Sequence, residues 1–218
     1  MTTSRRERRD AARRLVAAFD LDGVERWAAA DSRAWVTLQP LLFDDDELVR
    51  WRAVEALGRV AAVRAREDVD RVRDVLQRTL WLMNDESGGV LWLGPQVFGA
   101  VLANVPALCD EMLAILASFL EEEPFRAGTR WGLWRVALAN PGAVAAVDPA
   151  SARSLVRSLR DPDPGVRGHA ALALAAAQGP LAARARALRN DPTPFVVFDP
   201  RTGALRHETV ERAAAGAL

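Results

Sequence analysis

Asp46-Glu-Leu-Val-Arg-Trp-Arg-Ala-Val-Glu-Ala-Leu57 and Asp163-Pro-Gly-Val-Arg-Gly-His-Ala-Ala-Leu-Ala-Leu174 carry the same residue types at the same offsets. In each, an acid leads to Val and Arg one turn later (Val49 and Arg50, Val166 and Arg167), then to Ala, Ala and Leu. An Asp ahead of such a run is a helix N-cap, because its carboxylate accepts the first unpaired backbone N–H groups. Small apolar residues at every third or fourth position give the helix a narrow stripe that can lie close against its neighbours. Two copies of one such helix in one chain point to an array of repeats.

Fainter copies extend the array. Pro95-Gln96 leads to Gly99, Leu102 and Ala103, with Pro at a first helical position. Thr129-Arg130 leads to Leu133, Val136 and Ala137, and Val210 leads to Ala214, Ala217 and Leu218. Each is preceded by a segment with its own apolar stripe, near Trp35–Leu42, Val69–Met83, Leu108–Leu120, Ser151–Leu159 and Leu181–Leu188. Residues 4–19 and 23–30 predict one more pair, acting as an N-terminal cap over 1–30. Arginines at 5, 6, 8, 9, 13 and 14 suit the polar outer face that a terminal repeat needs. Such a run would also suit RNA or a membrane surface, but Glu7 and Asp10 interrupt it. The pattern therefore predicts an all-α chain forming one repeat domain over 1–218, with about five helix pairs from 33 onward.

The spacing Asp-x-x-Val-Arg-x-x-Ala-x-x-Ala-Leu resembles the HEAT-repeat superfamily, in particular the short bacterial form also found in phycobilisome-lyase subunits. The resemblance implies a HEAT/armadillo-like right-handed α-solenoid, first helices on its convex side and second helices lining a concave face. It further implies that the turn Asp and the following Arg pair between adjacent repeats, making Asp46, Arg50, Asp163 and Arg167 a structural ladder. The third repeat has Arg130 but carries Arg126 where the turn acid belongs, which leaves an arginine available for a ligand.

Composition narrows the function classes. Half of the 218 residues are hydrophobic, enough for a sizeable core. The 29 basic and 29 acidic residues cancel, whereas a general polyanion binder carries a basic excess, so there is no strong nucleic-acid signal. Every basic residue is Arg; a GC-rich coding bias explains that more simply than selection for bidentate contacts. Cys109 is the single cysteine, set in an apolar run beside Asp110 and Glu111, which reads as a small core residue and excludes an intrachain disulfide. The apolar run Leu15–Phe19 is too short for an export signal, and no stretch approaches a membrane span of about 20 residues. The expected location is cytoplasmic, with no membrane partner.

Repeat arrays place function in repeat-specific insertions and on the concave face. The first insertion runs from Asn84 to Pro95 and holds Asp85, Glu86, the Gly88-Gly89 pair and Trp92. It reads either as a recognition loop presenting acids and backbone N–H groups, or as a helix end with Trp92 plugging the core. It also resembles an uncharacterised bacterial group of HEAT-like proteins, in which Asn-Asp-Glu-Ser-Gly-Gly leads to a Trp and a Pro-acid pair; Gln96 replaces that acid here. The second insertion, 195–206, reads as a β-hairpin turning through Asp199-Pro-Arg-Thr-Gly203. Its expected role is to cover the apolar end of the last repeat. Trp51, Trp131 and Trp134 lie on second helices beside Arg50, Arg130 and Arg135, a pairing that would suit a flat or anionic ligand if it faces the groove.

No catalytic motif is present. HEAT-type di-iron hydroxylases need four His-Glu pairs, and this chain has two histidines, with His207-Glu208 alone forming such a pair. HEAT-like DNA glycosylases use a basic groove with Trp and Asp, yet no acid lies near Trp131 and Trp134 on their helix. Bilin lyases are a third relative, but nothing here specifies a tetrapyrrole. The expectation is a non-catalytic adaptor for an unknown protein or small-molecule partner, with no cofactor and no metal. Its expected contact residues are Asp85, Glu86, Trp92, Arg130, Trp131 and Trp134. The alternative is an enzyme or enzyme subunit acting on a planar or anionic ligand in the groove.

Overall fold

The computed structural model describes residues 4–84 and 91–218. Those residues form α1 (Arg5–Ala17), α2 (Leu21–Ala30), α3 (Ala34–Leu38), α4 (Glu47–Ala65), α5 (Val69–Met83) and α6 (Gly94–Asn104). The chain continues through α7 (Cys109–Ser118), α8 (Arg126–Ala139), α9 (Pro141–Ala145), α10 (Pro149–Arg157), α11 (Pro164–Ala176) and α12 (Pro180–Ala185). A hairpin of β1 (Pro194–Asp199) and β2 (Ala204–Thr209) precedes α13 (Val210–Ala214). The protein is thus mostly helical, with one small antiparallel sheet near its C-terminal end.

The helix starts follow the chemistry of the chain. Ser4 and Glu7 close a reciprocal capping box on α1. Asp46 accepts from the Leu48 N–H at 2.9 Å, and Asp163 from that of Gly165 at 2.7 Å. Asp68 and Asp148 cap α5 and α10 in the same way. Pro141, Pro149, Pro164 and Pro180 stand at first helical positions, where the missing N–H costs nothing. No single helix among the described residues is long and apolar enough to cross a membrane.

Alternate helices pack in a row: α2 on α4, α4 on α6, α6 on α8, α8 on α11 and α11 on α13. The intervening α3, α5, α7, α10 and α12 pack against members of that row. Its closest approach is between α6 and α8, where a Cβ on Gly99 would collide with the backbone of Gly132. Side chains of α4 and α8 meet across α6. Glu55, fully buried, takes two bonds from Arg135 at 2.8 and 3.1 Å, and the Trp51 and Trp131 rings meet edge to face at 5.2 Å. Long side chains of α4 and α8 thus form one continuous face across α6.

The hairpin packs its backbone on α11 and α13, and its aromatic side chains reach further, to α4 and α8. Phe198 stacks on Trp51 at 5.4 Å, and its carbonyl accepts from Trp131 Nε1 at 2.9 Å. Phe195 packs edge-on to His169 of α11, above Gly168, where any larger residue would clash with its ring. At the hairpin tip, Gly203 adopts φ +65° and its carbonyl accepts from Arg52 Nε at 2.8 Å. Phe19 holds a left-handed backbone (φ 53°) after α1 and sets its ring against Phe198 and Gly203. Beside the expected cover over the last helices, the hairpin thus also covers part of α4 and α8. β1 is buried through Phe195, Val197 and Phe198, with Phe195 against His169 of α11 and Phe198 against Trp51 and Trp131.

Candidate functional site

Three of the expected contact residues are interior. Arg130, Trp131 and Trp134 are all essentially inaccessible to solvent. Trp131 and Trp134 pack edge to face, and the hairpin lies over Trp131. Arg130 donates to Ser158 Oγ at 2.8 Å, to the Leu120 carbonyl at 2.8 Å and to the Arg126 carbonyl at 2.7 Å. Burial pushes its guanidinium down to about 10, a desolvation cost that structural bonds compensate rather than a ligand. These three residues are removed from the candidate site because they have no open face. Asp85 and Glu86 lie outside the described residues. Trp92 is exposed, at 60 %, and Leu91 is the neighbour that enters the core, its N–H donating to the Leu82 carbonyl at 3.2 Å.

The ladder is present with a shifted partner. Arg50 and Arg167 each reach back one turn, donating to the Asp44 and Asp161 carbonyls at 2.8 and 2.7 Å. The acids that bridge between helix pairs are not the capping Asp46 and Asp163 but Asp44, Asp161 and Asp191. They pair with Arg13, Arg126 and Arg167 of the preceding pair. Arg126, at the position of the missing turn acid, is therefore occupied by Asp161 and Glu123. The bond from Arg13 holds the Asp44 carboxyl below the usual carboxylate range.

Two open spaces flank α3, which packs on α1 and α4. A groove of about 470 Å³ runs between α3 and α5, with Trp35, Val36, Val75 and Trp81 on its walls and Arg64 and Arg78 at its edge. Trp81 and Val36 are 71 % and 69 % exposed, unusual for large apolar side chains that line one groove. Val36 also walls a second cleft of about 400 Å³ between α1 and α3. Arg5, Arg8, Arg9 and Arg33 line it together with Thr37 and Pro40. Among the described residues, no carboxylate lines either space. Among the described residues, Arg5, Arg8, Arg9, Arg33 and Arg78 make no salt bridge. Nor is there, among those residues, a group of three or more His, Cys, Asp or Glu side chains placed to hold a metal ion.

The fold has counterparts among engineered proteins. One engineered crystal structure superposes over 86 % of this chain and 80 % of its own length, with a TM-score of 0.52 and 19 % identity. A second covers the whole chain at a TM-score of 0.56 and 20 % identity, and the chain spans 55 % of its length. At these identities the likeness concerns the path of the backbone alone. No protein-family model matches the chain, and no curated protein matches it in sequence.

Sequence reasoning missed the α3 surface because its parts come from four separate elements. A usable signal was present nonetheless. Val36 and Trp81 each sit on the polar side of a helix whose opposite face supplies the core through Trp35 and Leu38, or Leu76 and Met83. A bulky apolar residue on the wrong face of an amphipathic helix is the mark of a contact surface.

Proposed function

We propose that this chain is a non-catalytic binding module built as a HEAT-like solenoid, and that it receives its partner in the groove between α3 and α5. The solenoid reading is supported by the row of alternate helices, the Asp caps of α4 and α11, and the arginines that clamp the preceding turn. The location of the contact surface is supported by one observation above all. The chain's own Phe198 fills the face formed by Trp51 and Trp131, while Trp81 and Val36 stand exposed in the α3/α5 groove. Aromatic anchors set in a concavity are the usual centres of protein recognition. A phage-displayed peptide selection against the immobilised protein tests this. Enriched peptides should lose at least tenfold in affinity, about 1.4 kcal/mol, toward a Trp81→Ala/Val36→Ser double variant of unchanged circular dichroism. Equal binding to both proteins rejects the groove.

A further inference from the structure

Four arginines face one cleft at the positive end of a helix, and that arrangement opposes itself. Arg5, Arg8 and Arg9 belong to the first two turns of α1, where the helix dipole already favours negative charge. Arg33, just ahead of α3, completes the wall. The one acid in the first turn of α1, Glu7, accepts from the Ser4 backbone N–H through its carboxylate. Other arginines, Arg14, Arg26 and Arg160 among them, also hold no carboxylate among the described residues; these four differ in lining one cleft together. Among the described residues no carboxylate lines this cleft, so its charge suits an anionic group brought from outside.

The cleft and the α3/α5 groove lie on either side of α3 and share one lining side chain, Val36. We infer that the two form one docking surface for an acidic amphipathic segment of a partner protein, the guanidiniums taking its carboxylates and the groove its apolar side chains. A nucleic acid or a free polyanion would use the arginines but leave Trp81 and Val36 unoccupied. A purely apolar helix would do the reverse. An amphipathic acidic segment is the chemistry that engages both halves at once, in the manner of a helix laid into a groove. This inference rests on the α3/α5 groove being the binding surface, and deepens that reading by specifying charge.

The test uses fluorescence anisotropy with the full chain and three labelled probes. One is an amphipathic peptide of about fifteen residues, Glu on one face and Leu with Phe on the other. The second is the same peptide with Gln for Glu, and the third is a scrambled peptide of the same composition. The acidic amphipathic peptide should bind at least tenfold more tightly than the other two, and its affinity should fall as salt is raised. Arg8→Gln/Arg33→Gln should remove that advantage and the salt dependence, while Trp81→Ala should weaken the acidic and Gln peptides alike. Equal binding of the acidic and Gln peptides, both lost with Trp81→Ala, overturns the charge inference and leaves the groove standing. Binding of none of the peptides overturns both. Displacement of the acidic peptide by inorganic tripolyphosphate, with no effect of Trp81→Ala, reassigns the cleft to a simple polyanion and also overturns the inference. Residual folding of each variant is checked by its urea midpoint, and since the substituted side chains are surface groups these should not move.

Discussion

Arg130 and His169 are both buried and both titratable, and they illustrate two ways of keeping a polar group inside. Arg130 is saturated: its fork reaches a hydroxyl and two carbonyls, tying the start of α8 to the Leu120 turn and to Ser158. Arg130→Ala should therefore lower stability by about 2–4 kcal/mol, through lost bonds and a cavity, whereas a ligand-facing arginine would cost almost nothing. A urea titration decides between them. His169 is fully enclosed beside Phe195, and neither ring nitrogen finds a hydrogen bond of ordinary geometry. Burial pushes its imidazole down to about 4, with the Gly165 carbonyl and Asp163 only partly opposing. The unfolded chain then binds the proton more readily than the folded one, so stability is full above about pH 6.5 and falls as the pH drops toward 4. The expected loss is on the order of 2–4 kcal/mol, and His169→Leu should flatten that part of the profile. Urea midpoints at pH 7 and 4.5 measure it. Identical slopes in the two proteins would place the acid sensitivity elsewhere.

At the scale of elements, the hairpin and the glycine contact between α6 and α8 decide the packing. Phe198→Ala should cost about 3–5 kcal/mol and shift tryptophan emission to the red, because it uncovers Trp51 and Trp131. Gly99→Ala inserts a methyl into the Gly132 backbone, which no rotamer change can relieve, and should destabilise by about 1–3 kcal/mol or more on thermal melting. Asp163→Ala removes only a cap and should cost about 1 kcal/mol. These elements differ in how far the sequence discloses them. The helices were legible because their stripes and caps are local: Asp46, Asp163 and the prolines mark boundaries through bonds made within a turn. The hairpin was legible for the same reason, its turn being written in Asp199 to Gly203. Its docking site was not, since Phe198 meets Trp131 through a contact that no local pattern encodes. The ladder was half legible. The Arg clamp is local, but the bridging acid sits two residues before the cap, and pairing across repeats depends on how the turns stack. The α3 surface was hidden for the same cause, being assembled from α1, α3, α4 and α5.

For the whole molecule, the distinctive property is that the row of helices does not end freely. In an array whose members touch only their neighbours, the terminal units open first and independently. Here Phe19, after α1, is held against Phe198, and Arg52 of α4 bonds both the Ala17 and the Gly203 carbonyls. The first helices and the hairpin should therefore open together. Hydrogen exchange tests this: Phe198→Ala should speed exchange in α1 and α2 nearly as much as in β1, despite their distance in sequence. Acceleration confined to the hairpin and α13 would mean that the ends are uncoupled.

The placement of the hairpin also sets a timetable for biosynthesis. Phe198 follows Trp131 by 67 residues, so at roughly 5–20 residues per second a ribosome exposes the α8 aromatic strip for about 3–13 s before its cover has been made. Trp51 waits longer still. During that interval the nascent chain presents an uncovered aromatic face to the cell, the kind of surface that holding chaperones bind. A denatured full-length chain faces no such delay, because its hairpin is present from the first instant of refolding. Soluble yield in cells should accordingly depend on chaperone supply and on pauses in translation ahead of Pro194, while the yield of refolding from urea should be indifferent to both.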